Sequence, residues 1–165
     1  MPVRAILFDL EGVLYQRDAP LLGAIETVAA LRERGLARRF LTNTTTKPRA
    51  AILSRMAAMG FAVELAELFS PPLAARRDLE AMGERRIHLA AAPELAIEFD
   101  GFDLVDEDAD AVVMGDLGPD YDWDRLNALF AMVADGARLI ALHKNRYWRK
   151  QSELILDLGP FVALL

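Results

Sequence analysis

The apolar residues in the first third of the chain follow two alternating patterns. Residues 4–9 include a continuously apolar run that is too short for a helix and is typical of a buried parallel strand. The segment 38–41 is also strand-like, and polar residues follow each of the two. Apolar residues at helical spacing fill 21–34 and about 47–59, and a glycine closes each stretch. The order strand, helix, strand, helix predicts a parallel sheet with right-handed crossovers.

The same alternation continues to about residue 142. A short strand at 68–70 precedes a helix at 73–82, and Thr45 or Thr46 is available to cap the helix that begins near Lys47. The pattern then restarts, with strands at 86–91, 111–115 and 138–142 and helices at 93–99 and 123–134. We therefore predict an α/β fold with a boundary near residue 84.

Composition and charge narrow the class of protein. The 165 residues are 53% hydrophobic, which predicts a globular chain with a real core. The formal charge of −6 argues against nucleic acid and anionic membranes as partners. The absence of cysteine excludes disulfides, thiolate zinc sites and cysteine nucleophiles. Because no apolar run resembles a signal peptide or a membrane span, we expect a soluble, cytoplasmic protein without membrane association.

Acidic and hydroxyl residues follow the first two predicted strands. Asp9 ends the first strand, with Glu11 and Gly12 just after it, and Thr42 and Asn43 follow the second. Such residues are also ordinary turn and cap residues, and either group alone favours a structural role. Because the carboxyl ends of parallel strands share one sheet edge, the two groups together favour phosphoryl transfer with Mg²⁺.

These motifs resemble those of a known family. The segment FDLEGVLY is similar to the first motif, D-x-D-G-x-hydrophobic, of the haloacid dehalogenase superfamily of phosphohydrolases, and LTNTTT resembles its second motif. The segment GARLIALHKNRYW, followed by LDLGPFVALL, is similar to the cap domain of the NagD-type subgroup. The resemblance implies a Rossmann-like parallel sheet, the N-terminal part of the family's core, over residues 1–84. An α/β cap domain follows over residues 85–165.

The resemblance also implies a role for each residue of the site. Asp9 would be the nucleophile that forms an aspartyl-phosphate, and it would also bind Mg²⁺. Glu11 would give its main-chain carbonyl to the metal, and its side chain would protonate the leaving group. Gly12 would let the backbone approach the phosphate, which Thr42 and Asn43 would hold. The implied substrate is a small phosphorylated compound.

The chain departs from the family pattern in two places. Glu11 stands where the superfamily usually has Asp, and a carboxyl moved by about one methylene can cost roughly a hundredfold in rate. The third motif, a lysine, and the fourth, paired acids, are not found before Leu165. We therefore expect the N-terminal part of a phosphatase, with activity left open.

Two other functions are weighed against catalysis. A non-catalytic remnant would bind a phosphate ligand or a protein partner, and self-association through the cap or an exposed sheet edge is left open. A phospho-accepting receiver domain would also place acids at strand ends, but the restart after residue 84 disfavours its single uninterrupted domain. The acidic segment 106–110 is interpreted as a solvated turn and not as a metal site.

Overall fold

The structure, a computed structural model, describes residues 3–165, which form two compact units. The first unit ends at Ser70, and the second covers Pro71–Leu165. Each combines helices with a parallel sheet, so the predicted α/β class is confirmed. The units divide before the third helix, whereas the boundary inferred near residue 84 falls after it. The assignment of 1–84 to a core and 85–165 to a cap stays a prediction.

The first unit has a three-stranded parallel sheet in the order β1-β4-β5 and a small antiparallel hairpin, β2–β3. Its elements are β1 (Ala5–Asp9), β2 (Tyr15–Gln16), β3 (Ala19–Pro20), α1 (Ala24–Glu33), β4 (Ala37–Leu41), α2 (Arg49–Ala58), a 3-10 turn (Leu65–Glu67) and β5 (Leu68–Phe69). The alternation of strand and helix predicted for this part of the chain is confirmed, but the sequence did not predict the hairpin.

The second unit has a four-stranded parallel sheet in the order β7-β6-β8-β9 and a second antiparallel hairpin, β10–β11. Its helices are α3 (Pro71–Met82), α4 (Trp123–Ala134) and α5 (Leu158–Leu164), with 3-10 segments at Pro93–Phe99 and Gly118–Asp120. Its strands are β6 (Arg86–Ala90), β7 (Asp103–Leu104), β8 (Ala111–Met114), β9 (Arg138–Ala141), β10 (Tyr147–Lys150) and β11 (Glu153–Leu156). The segment 93–99, predicted as an α-helix, is therefore a 3-10 helix.

The core of the first unit is built around Phe40 on β4. Phe40 is fully buried and stacks on Phe8 of β1 with ring centroids 5.5 Å apart. Helices α1 and α2 add Val28 and Met56 to the same cluster. By contrast, Leu7 on β1 is 64% exposed, so the apolar covering of this strand is incomplete within the described residues.

A buried ion pair lies inside the first unit. Arg38 on β4 is 3% exposed, and its guanidinium donates to both carboxylate oxygens of Glu67 at 2.8 and 3.1 Å. The same guanidinium donates to the carbonyl oxygen of Val28 at 2.9 Å. Because a buried charge is tolerated only when it is paired and hydrogen-bonded, these contacts explain why an arginine can occupy an inward position of this strand.

The sheet of the second unit is covered on both faces. All four residues of β8 are fully buried, and they divide between two apolar clusters as the side chains of a strand alternate. One cluster includes Leu79 of α3, and the other includes Leu129 of α4. This four-residue run is apolar on both faces, as expected for a central parallel strand.

Two helix starts contrast in how they are capped. Helix α4 has the predicted bounds, and the Asp122 carboxylate accepts a hydrogen bond from the Arg125 N–H at 2.8 Å. Helix α2 begins after Pro48 without a side-chain cap, so the prediction that Thr45 or Thr46 caps it is wrong. Within residues 3–165, no helix has both the length and the apolar character needed to cross a membrane.

The acidic segment before β8 has a more specific role than a solvated turn. Asp110 accepts hydrogen bonds from the N–H groups of Arg85 and Arg86, at 3.0 and 2.8 Å, where β6 begins. These backbone hydrogen bonds hold the pKa of the Asp110 carboxyl below its usual value. These two hydrogen bonds therefore link the beginning of β6 to Asp110, the residue that precedes β8.

Main-chain contacts fasten the base of the β10–β11 hairpin. The N–H of Gly159, the second residue of α5, donates to the Asn145 carbonyl oxygen at 2.8 Å, and a Cβ at this position would lie 2.6 Å from that oxygen. His143 Nε2 lies 3.5 Å from Asp157 Oδ1, and this carboxylate also accepts from the Leu158 N–H at 2.9 Å. The close backbone approach therefore leaves no room for a side chain at Gly159.

Candidate active site

The parallel pairing of β1 and β4 brings the two predicted motifs to one edge of the first sheet. Asp9, the last residue of β1, is the register partner of Leu41, the last residue of β4. Thr42 comes directly after Leu41, and its N–H donates to the Phe69 carbonyl oxygen of β5 at 3.1 Å. The residues that follow β1 and β4 are therefore neighbours at the carboxyl edge, where open α/β sheets bind ligands.

The Asp9 carboxylate is exposed at the end of its strand. Its Oδ1 accepts a hydrogen bond from the N–H of Leu10 at 2.8 Å, and the Leu10 side chain is buried in the core. The buried leucine anchors the backbone directly after the aspartate, and the N–H at that point fixes one carboxylate oxygen. Because a carboxylate has about four lone-pair sites, the other oxygen remains able to act on a ligand.

Gly12 forms the turn that follows β1. Its φ is +82°, a left-handed conformation that glycine adopts without steric cost, and its N–H donates to the Tyr15 carbonyl oxygen at 2.8 Å. Glu11 forms an isolated bridge with Tyr15. The turn brings the chain back toward the end of the strand. Apart from the two residues next to Gly12 in the chain, no heavy atom lies within 4 Å of the position that a Cβ would take.

The side chain of Glu11 is held by the β2–β3 hairpin. Its Oε1 accepts a hydrogen bond from the N–H of Arg17 at 2.8 Å, and Arg17 occupies the hairpin turn with a φ of +55°. A positive φ is uncommon for a residue other than glycine, so the surrounding contacts must hold this turn in place. Glu11 is exposed, yet its carboxylate has a fixed hydrogen-bond partner.

Arg55 of α2 contacts the hairpin at three points. Its Nε donates to Asp18 Oδ1 at 2.8 Å, its Nη2 donates to the Arg17 carbonyl oxygen, and its Cζ lies 5.1 Å from the centre of the Tyr15 ring. The hydrogen bond to Asp18 raises the pKa of the Arg55 guanidinium above its ordinary value. Arg55 thus joins the second helix to the segment that holds Glu11.

Tyr15 connects this hairpin to the core and to the two acids. The residue is 4% exposed and packs against Phe61 with ring centroids 6.4 Å apart. Burial raises the pKa of the Tyr15 phenol, the Arg55 charge opposes that rise, and the negative charges of Glu11 and Asp9 add to it. The phenol therefore lies within electrostatic range of both carboxylates.

The loop after β4 arranges its own hydroxyl groups. The Thr42 hydroxyl donates to Thr44 Oγ1 at 2.9 Å and accepts from the Thr44 N–H at 3.1 Å. Asn43, between them, is exposed, whereas Thr45 is buried. The local hydrogen bonds give the loop a defined shape next to the strand end, with the Asn43 amide open to solvent.

The donor set at this edge matches a hydrated hard cation. Mg²⁺ prefers oxygen ligands, keeps several waters and is usually held by one or two carboxylates, and this edge offers the Asp9 carboxylate and the main-chain carbonyl of Glu11. Among residues 3–165, no group of three or more acidic or histidine side chains is gathered where it could enclose a metal ion. The residues present therefore fit Mg²⁺ with water in most positions and not a metal enclosed by protein.

The sequence did not reveal the residues that support Glu11. Tyr15, Arg17 and Arg55 have this role because the two-residue strands of the hairpin turn the chain back toward α2. Strands this short give almost no periodic signal. The only trace of a turn in the sequence was the short polar segment 16–18, between Tyr15 and Ala19. This segment does not indicate that Asp18 pairs with a residue 37 positions later.

The chain matches a family profile and curated proteins. Residues 6–105 match the family described as haloacid dehalogenase-like hydrolase. The chain is 37% identical over 163 residues to haloacid dehalogenase-like hydrolase domain-containing protein 2 of Homo sapiens. It is 32% identical over 169 residues to phospholysine phosphohistidine inorganic pyrophosphate phosphatase of Homo sapiens. In both cases the match covers 99% of this chain and 62% of the relative, so the chain spans less than two thirds of their length.

Solved structures share the fold. NagD from E. coli K-12 aligns with a TM-score of 0.85 at 24% identity, over 99% of this chain and 64% of that one. A glycerol phosphate phosphatase from Mycobacterium tuberculosis, in complex with magnesium, aligns with a TM-score of 0.82 at 21% identity, over 98% and 50% of the two chains. The resemblance to the haloacid dehalogenase superfamily stated from the motifs is confirmed, and NagD is among the solved structures that share the fold.

Proposed function

Because this chain belongs to the haloacid dehalogenase-like hydrolase family, we propose that it provides the nucleophile and the first phosphate contacts of a Mg²⁺-dependent phosphatase. The substrate class would be a small phosphorylated compound. The observation that supports this most directly is the parallel register of β1 and β4, with Asp9 opposite Leu41 and Thr42 next to it. One relative's name refers to phosphatase activity, and one structural neighbour is a phosphatase complexed with magnesium.

Asp9 is the proposed nucleophile. A carboxylate oxygen of Asp9 attacks the phosphorus, the bond from phosphorus to the leaving oxygen breaks, and an aspartyl-phosphate forms. The Leu10 N–H hydrogen-bonded to Oδ1 orients the carboxylate for that attack. Thr42, Asn43 and the backbone at Gly12 hold the phosphate oxygens during the transfer.

Glu11 is the proposed acid and base. Its carboxyl gives a proton to the departing oxygen, and its carboxylate then takes a proton from the water that cleaves the aspartyl-phosphate. The Arg17 N–H holds one oxygen of Glu11, so the other is the one that exchanges protons. The longer side chain, compared with the usual Asp, would be accommodated by this hydrogen bond.

The proposed metal ligands are the Asp9 carboxylate and the Glu11 main-chain carbonyl. When bound, Mg²⁺ would neutralise charge on the phosphate oxygens and lower the repulsion that a carboxylate meets as it approaches them. Both donors are oxygens and both residues are exposed, so water would fill the remaining positions around the ion.

Turnover of 4-nitrophenyl phosphate with Mg²⁺ tests the activity. Asp9→Asn keeps the shape of the side chain but removes the nucleophilic oxygen, so we expect a loss of at least about a thousandfold in kcat. Glu26→Gln, which also neutralises one exposed acid of the first unit, is the matched control and should stay within twofold of the parent chain. Equal and negligible turnover in the parent and in Asp9→Asn would contradict catalysis by this chain.

The covalent intermediate needs its own experiment. Brief incubation with a phosphorus-labelled phosphoester, followed by acid quenching, should leave label on the protein that hydroxylamine removes, as an acyl phosphate requires. Asp9→Asn should take up none, and Glu26→Gln should label as the parent chain does. Turnover without any labelled protein would count against the aspartyl-phosphate and would favour direct attack by water.

A second candidate is a phosphate-binding module without turnover. The observation that favours it is the small donor set, because the described residues gather no third acidic side chain at this edge. Such a module would bind inorganic phosphate at Thr42 and Asn43. Amide shifts of these residues on phosphate addition, with no turnover at any Mg²⁺ concentration, would support this second function over the first.

Association with other protein molecules also stays a prediction. Leu7 of β1 is largely exposed, and this strand pairs on one side only in the described sheet. An unpaired strand edge is a ready site for pairing with another chain. Sedimentation over a range of concentrations would detect self-association, and a single monomeric species throughout would contradict it.

A further inference from the structure

We propose that Arg55 is a positioning residue for Glu11, acting through the turn of the β2–β3 hairpin. The inference rests on the proposed function, in which Glu11 exchanges protons with the leaving group and with water. Arg55 touches neither Glu11 nor the substrate in this scheme. It fixes the main chain of Arg17, whose N–H binds the Glu11 carboxylate.

The first link joins α2 to the hairpin turn. The Arg55 guanidinium donates from Nε to Asp18 Oδ1 at 2.8 Å and from Nη2 to the Arg17 carbonyl oxygen. Two neighbouring groups of the turn are thus held by two donors on one edge of the planar guanidinium. An arginine offers this fixed fork of donors, whereas a lysine offers a single point charge.

The second link joins the turn to Glu11. The same residue whose carbonyl Arg55 holds, Arg17, donates its N–H to Glu11 Oε1 at 2.8 Å. Arg17 has a φ of +55°, and few conformations of the chain present its N–H and its carbonyl in this way. If Arg55 releases the carbonyl, the turn is free to leave this uncommon conformation, and the N–H leaves Glu11 with it.

A third contact distinguishes Arg55 from an ordinary surface ion pair. Its Cζ lies 5.1 Å from the centre of the buried Tyr15 ring, so the guanidinium is held against the hairpin from a second direction. Arg32 on α1, which pairs with Glu64 at 3.1 Å, is also an exposed arginine in an ion pair, and its described contacts do not include the hairpin. It provides a matched control for any effect of deleting an exposed arginine.

The hydrogen exchange rate of the Arg17 amide tests the link without any need for activity. We expect Arg55→Ala to increase the exchange rate of this amide about tenfold, close to the effect of Glu11→Ala, which removes the acceptor. The amides of the β1–β4 ladder should exchange as in the parent chain. Arg32→Ala should leave the Arg17 amide within twofold of the parent.

Two results of the exchange measurement would overturn the proposal. One is an Arg17 amide whose rate is the same in Arg55→Ala as in the parent, because Arg55 would then not hold the turn. The other is a uniform increase across β1 and β4, which would mean that Arg55 supports the whole unit. Arg55→Lys separates these cases further, since it keeps the charge but loses the fork and should give an intermediate rate.

The kinetic measurement asks whether the positioning matters for chemistry. Arg55→Ala should lower kcat for 4-nitrophenyl phosphate about tenfold and leave KM within twofold, because phosphate binding through Thr42 and Asn43 is untouched. Arg55→Lys should recover part of the loss, and Arg32→Ala should match the parent. An increase in KM with unchanged kcat would contradict positioning of Glu11.

The two measurements also separate this inference from the function on which it rests. If the parent chain shows no turnover, the phosphatase proposal fails, yet the Arg17 amide still reports whether Arg55 holds the hairpin. If the parent is active and the Arg17 amide responds, but kcat does not change, then the phosphatase proposal stands and the positioning role is overturned.

Discussion

The two parallel sheets of this protein differ in how completely their strands are covered. In the second unit, β8 is fully buried at every residue, with α3 and α4 contributing to the clusters on its two faces. In the first unit, β1 is an edge strand with a largely exposed Leu7, and it ends at the exposed Asp9. The sheet with the candidate chemistry is therefore the less enclosed of the two.

The difference in burial between β1 and β8 accompanies a difference between the residues at the ends of these strands. A carboxylate that must reach a ligand has to lie near water, whereas the strand before it can itself be buried, because ligands bind at the carboxyl ends of buried parallel strands. At the end of β8, Met114 is fully buried and Gly115 follows, and the next carboxylate, that of Asp116, accepts a hydrogen bond from the Gly118 N–H at 3.0 Å. We infer that the first unit adds a few specific polar contacts, such as the Arg38–Glu67 pair, to its apolar core, whereas the second relies mainly on apolar packing.

Truncating one strand residue in each sheet should give the largest contrast. Met114→Ala removes a fully buried side chain and should lower the free energy of unfolding by about 2–5 kcal/mol. Leu7→Ala removes an exposed one and should cost less than about 0.5 kcal/mol. Both tryptophans, Trp123 and Trp148, lie in the second unit, so their fluorescence in urea follows that unit, and amide exchange in β4 follows the first.

That contrast would fail in one informative way. If Leu7→Ala destabilised the first unit by as much as Met114→Ala destabilises the second, then β1 would be covered in solution. Leu7 would then be exposed in the monomer but covered by another molecule of the protein in solution. The sedimentation measurement would detect this self-association.

The second prediction concerns the ion pair that we infer to be important in the first unit. Arg38→Ala leaves the Glu67 carboxylate without its buried partner and should cost about 2–3 kcal/mol, less than a fully enclosed pair because Glu67 is 16% exposed. Arg32→Ala, which breaks an exposed pair in the same unit, should cost less than about 1 kcal/mol.

Protection of the β4 amides from exchange measures both variants. Equal costs for Arg38→Ala and Arg32→Ala would mean that the buried position of Arg38 adds nothing. The specific polar contacts would then not distinguish the first unit from the second.

The third prediction compares the two helix starts. Asp122→Ala removes the carboxylate that caps α4 and should cost about 1 kcal/mol, as seen in tryptophan fluorescence during urea unfolding. Thr46→Ala, next to a helix that begins without a side-chain cap, should change the stability of the first unit by less than about 0.5 kcal/mol. A larger effect of Thr46→Ala would mean that the Thr46 hydroxyl does cap this helix, as the sequence predicted.

The smallest effect concerns pH and Asp110. Two N–H groups lower the folded pKa of this carboxyl, so the unfolded chain binds a proton more readily as pH falls. The stabilisation is complete above the ordinary carboxyl pKa of about 4 and is lost as pH falls through the lowered folded pKa. Asp110→Asn should remove this dependence and cost less than about 1 kcal/mol at neutral pH, because the site is exposed.

Urea unfolding at several values between neutral pH and about pH 3, followed by tryptophan fluorescence, measures the dependence. Asp108→Asn, two residues away in the same acidic segment, is the control and should keep the pH dependence of the parent. A parent and an Asp110→Asn variant that lose stability in parallel would contradict the role given to these hydrogen bonds.

Sequence patterns predicted best where one physical effect dominates. The bounds of α4 were predicted in full, because its apolar spacing and the Asp122 cap agree. The strands β1, β4, β6, β8 and β9 were found within one residue at each end, because segments of four or five residues with at least three apolar positions are too short for helices. The fold class followed from their alternation with helices.

Patterns predicted poorly where contacts between distant residues decide the structure. The two-residue strands β2 and β3 depend on Arg55, which is separated from Asp18 by 37 positions. The segment 93–99 has helical spacing but adopts the tighter 3-10 form, and Pro48 takes the place of the predicted threonine cap. At the candidate site, the motifs identified the acids and the threonine loop, but no local signal indicated what holds Glu11.

The β10–β11 hairpin is hydrogen-bonded at its base and exposed at its turn, and these features together make the turn a site for limited proteolysis. All four residues of β10 are exposed, and Arg149 and Lys150 come directly before Gln151, whose φ is +55° in the turn. Trypsin-like proteases cleave after such basic residues, and exposed turns are their preferred targets. A single early cut here would leave β11 paired with β10 and α5 packed through Leu158 in the apolar core, while all four strands of the parallel sheet stay on one fragment. The rate of that cut would therefore report on the hairpin, while the first unit and its candidate site stay intact.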